Sequence, residues 1–338
     1  MLPANLRLTI DTAALADNWR KLDRASGAAT AGAAIKAGAY GLGANEVVRT
    51  LARAGCRDFF VATWTEAADL RIPSGCRLAV LHGVQSGEMA TALASAAIPV
   101  LCTPAQVAAW RAAAPGRPCD VMVDTGINRL GLASGDLDLL DSLAIDTVHS
   151  HLACADMPDH PMNLRQLAAF RAVVARVTAQ RASLANSAGV MLGADYGFGL
   201  TRPGIGLFGG GVTGVAPVVG IEARVVQARD VAAGGTVGYG ATWTAARDSR
   251  IAVLNLGYAD GYPRALSNTG FVFASGTKCA VAGRVSMDLI AVDATGTSVD
   301  EGDWLAVDFN LTRVAAAAGI SQYELLTGLG HRYARVYQ

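Results

Sequence analysis

From residue 30 to about residue 210, short apolar runs alternate with longer stretches in which apolar residues recur at helical spacing. The runs at 33–36 (AAIK), 59–64, 77–82, 98–102, 119–126, 146–153, 183–188 and 204–209 (GIGLFG) predict strands. Between most of them the pattern predicts helices, at 44–55, 103–114 and 162–180 among others. In the last of these Leu164, Leu167, Phe170, Val174 and Val177 fall on one predicted face. Eight strands separated by helices predict a parallel sheet, and eight is the number that closes a (β/α)8 TIM-type barrel. A doubly wound sheet is the competitor, but no G-x-G-x-x-G follows the first strand.

Beyond about residue 215 the texture changes. Short apolar strands joined by Gly, Asp, Asn or Ser turns predict a mainly antiparallel β domain, ending in a short helix at SQYELLTGL and a basic tail. The expected division is a barrel over 8–214 and a β domain over 215–338. Residues 1–7 are open to association with the β domain. A glycine-rich seam, GGGVTGV (209–215), lies near the boundary.

Composition narrows the function classes. Among 338 residues the formal net charge is zero, and no long run of like charge occurs. That argues against a nucleic-acid or anionic-membrane partner. Mean hydropathy is +0.32, but it comes mostly from Ala and Val in runs too short to span a bilayer. The N-terminus carries no basic-then-apolar signal, which gives a cytoplasmic expectation. Six scattered cysteines and five histidines lack ligand spacing, so neither a disulfide frame nor a metal site is expected.

Candidate chemistry begins with Lys36. The chain has three lysines against twenty-five arginines, so a lysine closing an apolar strand asks for a reason. An amine can lose its proton and form a Schiff base; a guanidinium effectively cannot. Other strand ends are also polar: Asp124, Asn128 and Arg129 after the fifth, His149 and His151 at the sixth, Asn186 and Ser187 at the seventh, Arg202 before the eighth. Barrel enzymes place catalytic groups at such ends. Taken singly, each has a structural explanation. Lys36 can snorkel, His151 can be a hydrogen-bonded core residue, the arginines can cap helices or pair with carboxylates, and Asn186–Ser187 can be a helix N-cap.

The joint pattern resembles the alanine racemases. RLTIDTAALADNWR, AAIKAGAYGLGA, DTGINRLGL, HSHLACAD, NSAG, TRPGIGLFG, VGYGATW, NLGYADGYPR, GRVSMDLIAVD and YELLTGLG stand in the family's order, nearly end to end. The resemblance implies a barrel plus β domain and the cofactor pyridoxal 5′-phosphate (PLP). It implies two-base interconversion of L- and D-alanine, a source of D-alanine as peptidoglycan precursor. Lys36 would hold PLP and act as one base. Tyr40, Ser187, Gly204 and Ile205 would bind its phosphate. Arg129 would reach its phenolic oxygen and the substrate carboxylate, and Arg202 its ring nitrogen. Tyr239 would be the opposed acid–base residue, supported by His151. Met287 would help seat the carboxylate through its backbone, and Tyr258 would line the entrance. A homodimer with shared active sites is also implied.

Four positions depart from the family's common pattern: Gly38 for asparagine, Leu42 for histidine, Met122 for a carbamylated lysine that fixes the Arg129 equivalent, and His331 where some members have tyrosine. Met122 and His331 keep a serine or broader-specificity racemase open. A non-catalytic PLP-binding protein on the same barrel, and a Schiff-base aldolase barrel, are the other readings.

Overall fold

The computed structural model describes residues 4–338. The chain divides into two compact units, one over Ala13–Ala216 and the other joining the N-terminal segment up to Thr12 to Pro217–Gln338.

In the first unit, seven strands run parallel in chain order from Ala33–Ala34 to Arg181–Ser183. The eighth is Leu200–Thr201, paired in parallel with Thr30–Ala31. It closes the barrel. On one side Gly199 and Arg202 donate N–H groups to Ala182 and Ala185; on the other Gly32 and Ala34 donate to Thr201 and Pro203. The eighth strand predicted at 204–209 is therefore displaced by a few residues, and GIGLFG folds as a 3-10 turn, Ile205–Phe208. Apolar composition cannot separate a buried strand from a buried turn. The barrel interior is filled, not hollow: Ala34, Phe60, Ala79, Val100, Cys102, Met122 and Leu200 form one buried cluster.

Most predicted helices lie where the periodicity puts them, including Ala44–Ala54 and Pro104–Ala113. The helix Pro161–Arg176 differs in its face. Leu164 is 69% exposed, whereas Asn163, Gln166, Leu167, Phe170 and Val173 are buried. Two buried amides rotate the inward face away from the one that hydrophobic spacing alone suggests.

The second unit is a mainly antiparallel sheet. Leu6–Ile10 alternates buried and less buried residues and belongs here, not at the start of the barrel where a boundary at residue 8 places most of it. It pairs antiparallel with the first part of Val219–Val231 and parallel with Ala334–Tyr337. A three-letter apolar alternation predicts a strand but not its sheet, because the partner is remote in sequence. Val219–Val231 serves two partners. Its early residues also pair with Trp304–Val307, and a register shift between Val225 and Gln227 redirects the rest to Ser249–Leu254. No helix among the described residues is long and apolar enough to cross a membrane.

Candidate active site

Lys36 follows the first barrel strand and opens an unusual turn. Ala37, Gly38, Ala39 and Tyr40 all have positive φ, at 53°, 63°, 56° and 57°. Each non-glycine residue there costs about 1–2 kcal/mol, so the turn needs support. Ala39 N–H donates to Ile35 O, Gly41 N–H to Ala37 O and Gly43 N–H to Gly38 O. The Ala37 N–H donates to the Glu66 carboxylate at 2.5 Å. Gly38 and Gly41 suit this conformation without a Cβ penalty.

The turn delivers Tyr40 to the loop before the last turn of the barrel. Its ring packs on Phe208 with centroids 4.9 Å apart. A Cβ added at Gly204 would collide with the Tyr40 hydroxyl, so only glycine fits that spot. Ser187 is 2% exposed and its hydroxyl accepts the Gly204 and Gly206 N–H groups at 2.8 and 3.1 Å. Asn186 caps the same short helix by accepting from Gly189 N–H at 2.8 Å. Tyr40, Ser187, Gly204 and Ile205 thus meet in one cradle of hydroxyl and peptide groups.

Arg202, 5% exposed, is anchored at both nitrogens of its fork. It donates to Ser183 Oγ and to Ser150 O, each at 2.5 Å, and faces His149 Nδ1 at 3.3 Å and His151 Nδ1 at 3.5 Å. Burial pulls its pKa down to about 10, so it stays cationic at neutral pH. A cation facing both Nδ1 atoms assigns the imidazole protons to Nε2. His149 then donates to Asp120 at 3.0 Å. Burial, more than the neighbouring Arg202, pushes His149 down to about 4, against the pull of Asp120. His151 goes down to about 3, from burial first and then from Arg202, Arg129 and Lys36. Both are neutral at pH 7.

The same charges act on Lys36. Desolvation lowers its pKa, Arg129 and Arg202 lower it further, and Glu66 opposes them. Lys36 retains exposed surface, so solvent screening tempers the shift, but direction and cause agree. Lys36, Arg129, His151 and Arg202 therefore share one electrostatic environment at the C-terminal mouth of the barrel.

Arg129 is exposed and held through its backbone. Its N–H donates to Asp124 Oδ2 at 3.2 Å, and Gly126 N–H to Asp124 Oδ1 at 2.7 Å. Reciprocal bonds between Met122, Asp124 and Leu132 pin both ends of the loop. Met122 is 7% exposed and packs into the barrel core, with Leu130 against the same cluster. A loop clamp stands where the family's carbamylated lysine would act on the side chain.

On the β unit, Tyr239 lies in a turn between Gly238 and Gly240, both at positive φ. It is 73% exposed, Met287 54%, Tyr258 44% and Leu289 39%. The Tyr258 and Met287 loops are joined: Tyr258 N–H donates to Ser286 O and Ala259 N–H to Met287 O. A groove of about 570 Å3 runs beside Tyr239, lined also by Arg284, Ser286 and Leu289. His331 is exposed in a turn.

Sequence reasoning passed over three supporting residues. Asp120 is a charge inside an apolar strand, a signal visible in CDVM. Glu66 completes a capping box with Thr63, readable as T-x-x-E. Gln166, fully buried, donates to His151 O and Thr125 Oγ1 and accepts from Ala153 N–H; nothing in the local sequence marks it.

Residues 10–211 match the alanine racemase N-terminal domain and residues 218–337 the alanine racemase C-terminal domain. The chain belongs to the alanine racemase family. A Rhizobium meliloti protein named alanine racemase is 45% identical, covering 99% of this chain and 97% of its own length. One from Agrobacterium fabrum, named alanine racemase, biosynthetic, is 44% identical over 99% and 94%. The crystal structure of the Bartonella henselae alanine racemase with covalently bound pyridoxal phosphate superposes with a TM-score of 0.91 at 36% identity, covering 99% of this chain and all of that one.

The donor set fits that cofactor. The mouth offers an amine, Lys36, a cradle in which a Cβ at Gly204 would strike the Tyr40 hydroxyl, and two guanidinium cations, Arg129 and Arg202, that suit anionic groups such as a carboxylate. Thiols do not compete for the role. Burial pushes the Cys102 thiol, at the end of its strand, up to about 12, leaving no thiolate there at neutral pH.

Proposed function

We propose that the chain interconverts L- and D-alanine with PLP, using Lys36 and Tyr239 as opposed acid–base groups. The observation that carries this reading is the convergence of Lys36, Arg129, His151 and Arg202 with the Tyr40–Ser187–Gly204–Ile205 cradle at one barrel mouth. PLP, when bound, supplies an electron sink for the α-carbanion. Lys36 would hold its aldehyde, the cradle its phosphate, and Arg202 its ring nitrogen, to which an always-charged guanidinium can only donate.

The chain's own groups do the rest. Arg129 binds the substrate carboxylate, with the Met287 backbone assisting. Lys36 Nζ takes or returns the proton at the α-carbon from one face, and its lowered pKa keeps more of it in the free-base form. Tyr239 Oη serves the opposite face. His151, neutral with its proton on Nε2, has a donor with which to stabilise a phenolate. Tyr258 lines the approach. Tyr239, Tyr258, Met287 and Leu289 are large apolar side chains that the single chain leaves exposed. That supports a homodimer in which each Tyr239 serves the partner's Lys36. All six cysteines are unpaired, which fits a reducing cytoplasm.

Purified protein supplied with PLP should racemise alanine in both directions and prefer it to serine. Protein that binds PLP yet turns over neither D- nor L-alanine would overturn this reading.

A further inference from the structure

We infer that Glu66 is a positioning residue for Lys36: its carboxylate anchors the left-handed turn from which the lysine emerges and sets a negative charge against the cations around its amine. This rests on the racemase reading and adds a residue to it.

Glu66 lies in the short helix Trp64–Ala68 that follows the second barrel strand. One oxygen accepts the Ala37 N–H at 2.5 Å; the other accepts the Ala62 N–H at 2.7 Å and the Thr63 N–H at 3.4 Å. Thr63 Oγ1 in turn accepts the Glu66 N–H at 3.3 Å. The carboxylate therefore staples the end of the second strand to the residue after Lys36. An ordinary helix cap would need only the Thr63 bonds. The bond to Ala37 reaches across 29 positions of sequence.

That bond sits where the backbone is most in need of it. Ala37 is the first of five consecutive residues at positive φ, Ala37 to Gly41, and its peptide fixes the direction in which the Lys36 side chain leaves. Three further groups face the amine from other strand ends: Arg129, Arg202 and His151. The two arginines depress its pKa alongside desolvation, and Glu66 opposes them; His151, neutral, adds no charge. Without Glu66 the protonated amine would lose the carboxylate that favours it while Arg129 and Arg202 remain. Racemisation needs both forms of Lys36, one to take a proton and one to return it.

Glu66→Gln and Glu66→Asp separate reach from charge. Glutamine keeps the length but turns an NH2 toward peptide N–H groups and removes the charge. Losing a charge-assisted bond should lower kcat by roughly 10–100-fold. It should move the acid limb of the kcat–pH profile down by about half to one unit, the sign expected when an ammonium loses a carboxylate. Aspartate keeps the charge but is one methylene short, so the limb should return toward its original position. Hydrogen exchange at the Ala37 amide, read on the full-length protein without substrate, should speed up about tenfold or more in both variants.

A Glu66→Gln protein that keeps its acid limb and its slow Ala37 exchange would overturn the inference. So would losses in both variants that track a fall in Tm and leave kcat per folded molecule unchanged. Failure of the parent protein to racemise alanine would sink the racemase reading, while the Ala37 exchange test stands without any substrate.

Discussion

The two ends of the barrel use the same residue types in opposite ways. At the base, Asp58, Arg77, Asp120, Asp146 and Arg181 sit at or one residue beyond the start of their strands. Arg181 grips Asp58 through both nitrogens at 3.0 and 2.9 Å and reaches Asp146 at 3.0 Å. Arg77 pairs with Asp120, with Asp146 at 3.3 Å and with Asp58 at 3.7 Å. At the mouth, the carboxylates of Glu66 and Asp124 are occupied by peptide N–H groups, and among the described residues Lys36, Arg129 and Arg202 stand in no side-chain ion pair. Paired charge holds strands together; unmatched charge waits for a ligand. This is the division between stability and catalysis expected at the two faces of such barrels.

Lys36→Ala should abolish the yellow cofactor absorbance and cut racemisation by roughly a thousandfold or more, with little change in Tm, because no ion pair is lost. A Lys36→Ala protein that stays yellow and active would refute the role of the mouth. Asp58→Asn should do the reverse. It strips Arg181 of its bidentate partner in a mostly buried site, at a cost of about 3 kcal/mol in urea unfolding, while kcat of the folded fraction stays within about twofold, because Asp58 touches no group at the mouth.

His149 joins the two ends, between Asp120 below and Arg202 above, and gives a pH test. Its folded pKa is depressed from 6.5 to about 4, so the folded state prefers it neutral. Stability should be full above pH 6.5 and fall as pH drops toward 4, because the unfolded chain takes up the proton first. A His149→Gln variant should show a shallower slope of unfolding free energy across that window. The smallest effect concerns the turn. A Cβ at Gly38 would meet nothing within 4 Å, so Gly38→Ala should cost only the backbone penalty, about 1–2 kcal/mol. Gly38→Asn, which tolerates positive φ better, should cost less. Thermal melts at fixed PLP concentration would rank the two.

Much of the candidate site was legible in the sequence. Lys36, Arg129, His151, Ser187 and Arg202 are polar residues at the ends of apolar runs, and a barrel gathers strand ends by topology alone. The (β/α)8 count was right, although its eighth strand lies at Leu200–Thr201 and not within GIGLFG. The face of the helix Pro161–Arg176 was misread because Asn163 and Gln166 are buried to satisfy loop carbonyls and amides, which hydrophobic spacing cannot anticipate. Leu6–Ile10 gave its alternation but not its sheet, since its partners lie more than two hundred residues away.

What this sequence determined by itself is the order of elements, the strand-end chemistry and the glycine-rich turn after Lys36, because period, polarity and backbone freedom are local properties. Tertiary structure alone decided which charges are paired. Ion pairing depends on distances between strands remote in sequence, so only folding could pair the arginines at the base with carboxylates and leave Arg129 and Arg202 at the mouth, among the described residues, without such an ion pair. It also decided that Met122 fills core while Asp124 clamps the Arg129 loop, and that Glu66 caps one strand end and steadies the next, because a hydrogen bond needs its partner within about 3 Å.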